Sequence, residues 1–196
     1  MDVHAFLDRV FQHLPKPPIR HYEFRSWNIS EYPTNEGVGM LPVQGLDPDN
    51  FIKHVMDVDH YVGNLGFVVD NHSESMDASG AKVRFYQRLK LPVIGAIQHK
   101  LELVDGGERD GYRFAYWTML EDETAALDPK KGARSAYNNG AWLIGHDAVG
   151  YALSSGPRRE DVGRLTWLAL TKGANATAKP TVKQNIEGMV RWVRGK

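Results

Sequence analysis

The sequence predicts an α+β protein in which a run of antiparallel strands is covered by a helix at the carboxyl end of the chain. Three observations favour this class. Strand periodicity interrupted by turn residues runs from Phe67 to about Leu170, helical periodicity occurs near both ends, and no long linker or low-complexity tract divides the 196 residues. A chain of this length is typical of one domain, so residues 1–196 are predicted to fold as a unit.

The first fifteen residues predict a helical extension. Apolar residues recur at helical spacing from Val3 to Leu14, Asp2 is placed to cap the helix, and Pro15 ends it. The aromatic-rich segment 19–29 alternates without helical period and predicts a strand. The following stretch, 35–45, is punctuated by Gly and Pro and predicts a loop or an irregular strand.

Two short helices are predicted next. Asp47 followed by Pro48 is typical of an N-cap with proline at the first helical position, and the apolar residues that follow share one face. A second short helical piece is predicted within 57–66. No convincing helix is predicted inside the strand-like region that follows.

Six strands are predicted in that region, at 67–71, 81–91, 96–104, 111–120, 135–144 and 146–155. Alternation in the second places Val83, Phe85, Gln87 and Leu89 on the buried face, and alternation in the third places Ile97, His99, Leu101 and Leu103 there. A hairpin turn is predicted within 104–111 from its Asp-Gly and Gly-Gly pairs. Segment 111–120 is apolar on both faces.

The carboxyl end predicts a strand or short helix at 164–170 and then a closing helix that begins at Pro180. The apolar face of this helix is formed by Val182, Ile186, Met189, Val190 and Val193. A curved antiparallel sheet whose concave face is covered by this helix buries both elements.

Composition excludes several classes of protein. Lys plus Arg and Asp plus Glu are both 24, so a nucleic-acid partner and a polybasic membrane-surface role are disfavoured. No apolar run reaches the ~20 residues of a membrane-spanning helix, and the amino terminus is not typical of a signal peptide. The absence of cysteine fits a reducing compartment, and a cytoplasmic location is predicted. The three N-x-S/T sequons, at Asn28, Asn71 and Asn175, are interpreted as chance matches.

The order of elements resembles the helix-grip fold of the START / Bet v 1-like superfamily, also called SRPBCC or polyketide cyclase-like proteins. The short helices at 47–55 and 57–65 take the place of the family's helices after its first strand. The stretch RFYQRLKLPVIG (84–95) is similar to the family's strand that leads into a Leu-Pro turn. The hairpin NNGAWLIGHDAVGYAL (138–153) is similar to its G-x-W strand and return strand, with Trp142 and Tyr151 in the aromatic places. The resemblance covers 19–194, and the longer segment 171–179 departs from the shortest members.

This resemblance implies a curved antiparallel sheet wrapped around a long C-terminal helix, with a cavity between them. Family members bind lipids, sterols, polyketides or similar hydrophobic ligands, and some catalyse cyclisation or dehydration. The implied partner is therefore a hydrophobic small molecule, and the predicted ligand-binding residues are Phe85, Gln87, His99, Trp117, Trp142 and Tyr151. Seven Phe, 8 Tyr and 5 Trp agree with a lined cavity, although core packing must account for most of the aromatics.

His99 stands out because its strand position places it on the apolar face. It is interpreted either as a hydrogen-bonded core residue or as a group that contacts a ligand or acts as general acid or base. Gln87 follows the same logic, and the two are expected to be close if their strands pair. Asn138 and Asn139 are interpreted as a bulge beside Gly140 or as ligand contacts, with the bulge slightly favoured.

Two groups of residues have the composition of metal ligands. One contains His54, Asp57, Asp59 and His60, in which the aspartates are more simply helix caps. The other contains Asp70, His72 and Glu74, which a polar hairpin tip explains as well. Catalytic and nucleotide-binding motifs are absent from the sequence, so no metal or other cofactor is predicted.

Two other functions stay open at this stage. One is an enzyme of the same fold, a polyketide cyclase or dehydratase that uses His99. The other is an interaction module in which the N-terminal helix contacts a partner or a second copy in a homodimer.

Overall fold

A curved antiparallel sheet of eight strands organises the chain. The computed structural model describes residues 2–92 and 94–196, and the side chains of 171–177, with the sequon at Asn175, lie outside the description. The strands are β1 (Glu23–Trp27), β2 (Glu36–Pro42), β3 (Val68–Met76), β4 (Lys82–Leu91), β5 (Gly95–Arg109), β6 (Tyr112–Met119), β7 (Ala133–Ile144) and β8 (Ala148–Pro157).

Four helices accompany the strands. They are α1 (Val3–His13), α2 (Pro48–Met56), α3 (Glu121–Ala125) and α4 (Arg164–Val193), and single 3₁₀ turns lie at Val58–His60, Pro129–Lys131 and Arg159–Asp161. None of the helices in the described part of the chain is long and apolar enough to cross a membrane.

The strand order is β1-β2-β8-β7-β6-β5-β4-β3, so the chain's first two strands pair beside its last one. Neighbouring strands are antiparallel, and β5 also meets β7 in a short parallel pairing at Ile97 and Ala133. The hairpin between β5 and β6 turns at Asp110 and Gly111, whose φ values of 51° and 80° suit the Asp-Gly pair predicted there. The α+β class and the helix-grip architecture are therefore confirmed.

The segment 35–45, predicted as loop or irregular strand, contains the regular strand β2. Gly39 in this strand serves close packing, because a Cβ there would lie 2.5 Å from Val182 Cγ1 and 2.7 Å from the Tyr22 hydroxyl. The short helices therefore follow the second strand and not the first. Helix α3 was also not predicted; its Thr124 Oγ1 accepts a hydrogen bond from the Lys100 amide (3.0 Å) beside β5.

The closing helix begins at Arg164, and the prediction that it begins at Pro180 is wrong. Pro180 lies inside α4, although proline removes one backbone donor and is more typical of a first turn. The segment 164–170, predicted as a strand or a short helix, is the first part of this helix. The predicted inward face is confirmed, since Val182, Ile186 and Met189 are buried against the sheet.

Two apolar cores lie on opposite faces of the sheet. The concave face packs against α4 and α2, with Trp142, Phe51 and Ile186 fully buried between them. The convex face packs against α1, where Phe6 and Val10 have no exposed surface. The segment 111–120 is apolar on both faces because β6 separates these two cores.

A buried carboxylate fixes the N-terminal helix to the sheet. Arg9 donates to both carboxylate oxygens of Glu36 at 2.9 and 2.8 Å, and Trp27 Nε1 donates to one of them at 2.8 Å. Glu36 is 1% exposed, and such bidentate pairs combine charge with fixed geometry. Helix α1 thus packs its apolar face on the protein's own sheet.

Replacing Phe6 by alanine is expected to lower the free energy of unfolding by about 3–4 kcal/mol, because it removes a fully buried ring. Urea unfolding followed by circular dichroism measures the change. Gln12→Ala on the exposed side of the same helix is the control and is expected to stay within about 0.5 kcal/mol of the wild type. Equal stability of Phe6→Ala and Gln12→Ala would contradict this packing.

Candidate ligand-binding site

A cavity of about 440 Å³ lies between the concave face of the sheet and helix α4. Strands β4 to β8 form its floor, residues of β1 and β2 and the segment between them form one side, and α4 forms the roof. The volume falls within the range of roughly 300–1,000 Å³ that is common for small-molecule sites.

The wall of the cavity is mostly aliphatic and aromatic. Its apolar side chains come from the strands of the sheet and from α4, and they include Phe85, Leu101, Leu103, Trp117, Trp142 and Leu153. Strand alternation explains the placement, because successive residues of a strand point to opposite faces and one face of each strand meets α4. The inward positions of Phe85, Leu101 and Leu103 were predicted from this alternation.

A glycine makes room for the indole of Trp117. A Cβ on Gly140 of β7 would lie 1.9 Å from Trp117 Cζ2, so the ring lies directly on the β7 backbone. Trp117 Nε1 donates to Asn138 Oδ1 at 2.9 Å, which fixes the ring in its plane. The Tyr151 ring then packs against Trp117 with centroids 5.4 Å apart and against Trp142 with centroids 4.5 Å apart.

Tyr151 connects the sheet with the helix above it. Its hydroxyl is hydrogen-bonded to the side chain of Asn185 on α4, and both residues line the cavity. Burial raises the pKa of Tyr151, so the phenol stays protonated and neutral at physiological pH. The pair therefore adds a polar spot to the cavity without adding a charge.

A second polar spot surrounds His99, which is fully buried on β5. His99 Nε2 lies 3.0 Å from Gln87 Oε1 on the neighbouring strand, and Nδ1 lies 3.0 Å from Ser135 Oγ. Asn138 Nδ2 lies 3.2 and 3.3 Å from the two ring nitrogens. Gln87 and Asn138 line the cavity, and His99 lies behind them.

The charge state of His99 follows from its burial, which lowers its pKa to about 3. The ring is therefore neutral near pH 7, and its hydrogen-bond partners among the described residues contain no carboxylate. A catalytic base works best with a pKa near the working pH, whereas the pKa of His99 is far lower and its ring lies behind Gln87 and Asn138. The arrangement is that of a hydrogen-bonded core histidine.

Five of the six predicted site residues border the cavity: Phe85, Gln87, Trp117, Trp142 and Tyr151. The sixth, His99, contacts Gln87 as expected, since the two residues are direct cross-strand partners. Whether these residues bind a ligand stays a prediction. Tyr112, Phe114 and Tyr116 point to the other face and pack beneath α1, so they are not part of the cavity.

The predicted bulge beside Gly140 is wrong. Strands β7 and β8 pair without a break from Asn138 to Ile144, and the register shift lies between Ser135 and Tyr137. The two asparagines are instead held by side-chain hydrogen bonds, Asn138 with Trp117 and Asn139 with Thr118 (2.9 Å). Asn138 faces the cavity because its parity on β7 places it beside Trp117.

The metal-ligand hypotheses receive no support from the geometry. No group of three or more His, Cys, Asp or Glu side chains converges in the part of the chain that the structure describes. Asp57 Oδ1 contacts His60 Nδ1 at 2.7 Å, whereas Asp59 accepts hydrogen bonds from the Ser73 amide and hydroxyl at 2.6 and 2.7 Å. These aspartates therefore hold local structure, but not as the predicted caps, since the Asp57 side chain makes no capping hydrogen bond and Asp59 is bonded to Ser73.

The second group, Asp70, His72 and Glu74, lies on the outward side of strand β3. The prediction that it forms a hairpin tip is wrong. Glu74 pairs with Lys100 at 2.7 Å, and Asp70 and His72 border a shallow depression on the same face. The hairpin tip itself is at 77–81, where Asp77 Oδ1 accepts from the Lys82 amide (2.9 Å).

The cavity also uses residues that the sequence analysis missed. Thr181, Gln184 and Asn185 of α4 line it, as do Thr34 and Asn35 before β2. Asn185 was detectable, because it lies three positions after Val182 and four before Met189 and so belongs to the inward stripe of the helix. Thr34 was not detectable, because its place depends on the path of the loop before β2. Its Oγ1 lies 2.5 Å from the hydroxyl of Tyr137 on β7.

Comparison with solved structures finds similar folds, including two that are named lipid transfer proteins. A STAR-related lipid transfer protein from Xanthomonas axonopodis (fragment 25–204) superposes with a TM-score of 0.70 at 15% identity, covering 91% of this chain and 97% of that one. Human StAR-related lipid transfer protein 5 gives a TM-score of 0.71 at 10% identity, covering 98% and 95%. Human STARD10 gives 0.69 at 9% identity, covering 100% and 81%.

No protein-family model matches the sequence, and no curated protein sequence matches it significantly. The likeness is thus one of fold. The chain has the START/Bet v 1-like fold that the order of its elements resembles.

Proposed function

We propose that this protein binds a hydrophobic small molecule, such as a lipid, a sterol or a polyketide, in the cavity between the sheet and α4. The observation that carries the proposal is the cavity itself, about 440 Å³ with predominantly apolar walls. Removing an apolar ligand from water into such a space is favourable in proportion to the area buried. The names of the similar structures, which are lipid transfer proteins, support the same class of ligand.

The polar groups of the cavity favour an uncharged ligand. Among the described lining residues, Glu36 is the only acid or base apart from the phenols, and Arg9 and Trp27 already neutralise and hydrogen-bond its carboxylate. A charged head group inside would lose hydration without gaining a counter-charge, which is costly in an apolar surrounding. The expected ligand therefore places its charge, if it has one, outside.

Binding rather than catalysis is the function that the geometry favours. The enzyme alternative assigned general acid–base chemistry to His99, which is neutral, lies behind the cavity wall and hydrogen-bonds to Ser135 and Gln87. A cytoplasmic location and the homodimer alternative stay predictions from the sequence, and the proposal depends on neither.

Filling the cavity is expected to abolish binding. Ala178 on α4 lines the cavity, so Ala178→Trp places an indole inside it without removing core atoms. Titration with the neutral fluorophore N-phenyl-1-naphthylamine measures occupancy. The wild type is expected to bind one equivalent, and Ala178→Trp is expected to bind at least tenfold more weakly.

Lys179→Trp is the matched control, because it adds the same side chain one position later, on the exposed side of the helix. Its affinity for the fluorophore is expected to equal that of the wild type. Equal binding by Ala178→Trp and Lys179→Trp, or no stoichiometric binding by the wild type, would overturn the proposal.

A further inference from the structure

The Gln87 carboxamide has an accepting oxygen and a donating nitrogen, and among the described residues only the oxygen has a hydrogen-bond partner. Its Oε1 lies 3.0 Å from His99 Nε2, which is hydrogen-bond distance, and His99 is fully buried. Within the described residues no protein acceptor takes an N–H of its amide, and the side chain lies in the cavity wall. The neighbouring inward residues of β4, Phe85 and Leu89, offer no hydrogen-bond acceptor in their side chains.

The position of the Gln87 amide oxygen identifies the tautomer of His99. A neutral histidine donates from one ring nitrogen and accepts at the other, and a carboxamide oxygen only accepts. Because Oε1 faces Nε2, His99 carries its proton on Nε2 and donates it to Gln87. Nδ1 is then the acceptor, and the Ser135 hydroxyl at 3.0 Å is its donor.

The Asn138 amide next to the His99 ring also has a fixed orientation. An indole N–H has no lone pair and only donates, so Trp117 fixes the Asn138 oxygen toward itself. The Asn138 amide nitrogen therefore faces the His99 ring, at 3.2 Å from Nδ1 and 3.3 Å from Nε2. This donor is compatible with an acceptor at Nδ1, and the choice of tautomer rests on the Gln87 oxygen beside Nε2.

We propose that the Gln87 carboxamide is a hydrogen-bond-donating pole of the cavity, which selects hydrophobic ligands that carry a neutral accepting oxygen, such as a ketone, an ester or an ether. This inference rests on the proposed function, because it names the class of ligand for the same cavity. Gln87 is held in this orientation by His99, which acts as a positioning residue. A purely hydrocarbon ligand leaves the amide N–H without a partner and binds less tightly.

Two compounds of nearly equal shape test this selection. Cyclododecanone carries an accepting oxygen, and methylenecyclododecane carries a CH₂ group in its place. Each is titrated as a competitor of N-phenyl-1-naphthylamine. A cavity without a donor pole favours the more hydrophobic alkene, whereas wild-type protein is expected to bind the ketone about tenfold more tightly.

The Gln87→Met variant is expected to reverse this preference, because methionine has a similar length and no N–H. Gln12→Met, the same change on the exposed side of α1 and away from the cavity, is the control and is expected to keep the wild-type ratio. Comparing the ratio of the two compounds between variants removes their difference in water solubility.

The inference is overturned if wild-type protein prefers the alkene, or if Gln87→Met keeps the ketone preference. The wild-type comparison stands by itself if the variant fails to fold. Failure of the proposed function gives a different result, in which neither the fluorophore nor either compound binds.

Discussion

The Gly140→Ala variant is expected to lose about 3 kcal/mol of unfolding free energy and to bind N-phenyl-1-naphthylamine about tenfold more weakly. The added methyl group would lie 1.9 Å from Trp117 Cζ2, far inside van der Waals contact. Overpacking of a buried site costs roughly 1–3 kcal/mol. Displacement of the indole also breaks its hydrogen bond to the buried Asn138, which adds about 1 kcal/mol or more.

The effect on binding has the same origin. Trp117 and Tyr151 form adjoining parts of the cavity wall, so a displaced indole changes the shape of the space that the ligand occupies. Urea unfolding and fluorophore titration measure the two effects separately. Gly163→Ala is the control, since a Cβ there meets nothing within 4 Å and the residue has an ordinary negative φ of −66°. Wild-type stability and binding in Gly140→Ala would mean that the indole does not lie on the β7 backbone.

Acidification is expected to destabilise the protein through His99. Its pKa is about 3 in the folded protein and about 6.5 in the unfolded chain. Between about pH 6.5 and pH 3 the histidine is therefore protonated in the unfolded chain and neutral in the folded protein. The free energy of unfolding falls as the pH falls through this interval. At about 1.4 kcal/mol per pH unit, this single group contributes a loss of about 3 kcal/mol between pH 6.5 and pH 4.

The test compares the pH dependence of unfolding between wild type and His99→Gln. Glutamine cannot take up the proton, so the variant is expected to be less stable at pH 7 and to lose about 3 kcal/mol less on acidification to pH 4. Other titrating groups affect both proteins equally and cancel in the difference. His21→Gln, which removes an exposed histidine, is expected to follow the wild type. Parallel curves for wild type and His99→Gln would show that His99 titrates normally in the folded state.

The strands were predictable because alternation reports burial directly. Val83 and Phe85 on β4 and Leu101 and Leu103 on β5 point inward as their periodicity indicates, and the pairing of Gln87 with His99 follows from it. Alternation fails where both faces of a strand are buried. On β6 the parity of Tyr112 and Phe114 could not be assigned, because α1 covers the convex face and makes both sides of the strand apolar.

The start of α4 was not predictable from local rules. Pro180 is a typical first-turn residue, so local rules place the start of the helix there, whereas in the structure the helix begins at Arg164 and Val182 and Ile186 pack against the sheet. The position of Trp117 could be predicted only in part. Periodicity allowed either face of β6 for its side chain. Its contact with Gly140 depends on the register between β6 and β7, which sequence periodicity does not give.

A crystal structure of the protein with cyclododecanone tests most directly whether the space beneath α4 is a ligand site. We expect one molecule between Trp117, Tyr151 and α4, with its oxygen within hydrogen-bond distance of Gln87 Nε2. Side chains that fill this space, with the ketone absent or bound only on the outer surface, would contradict the proposed function.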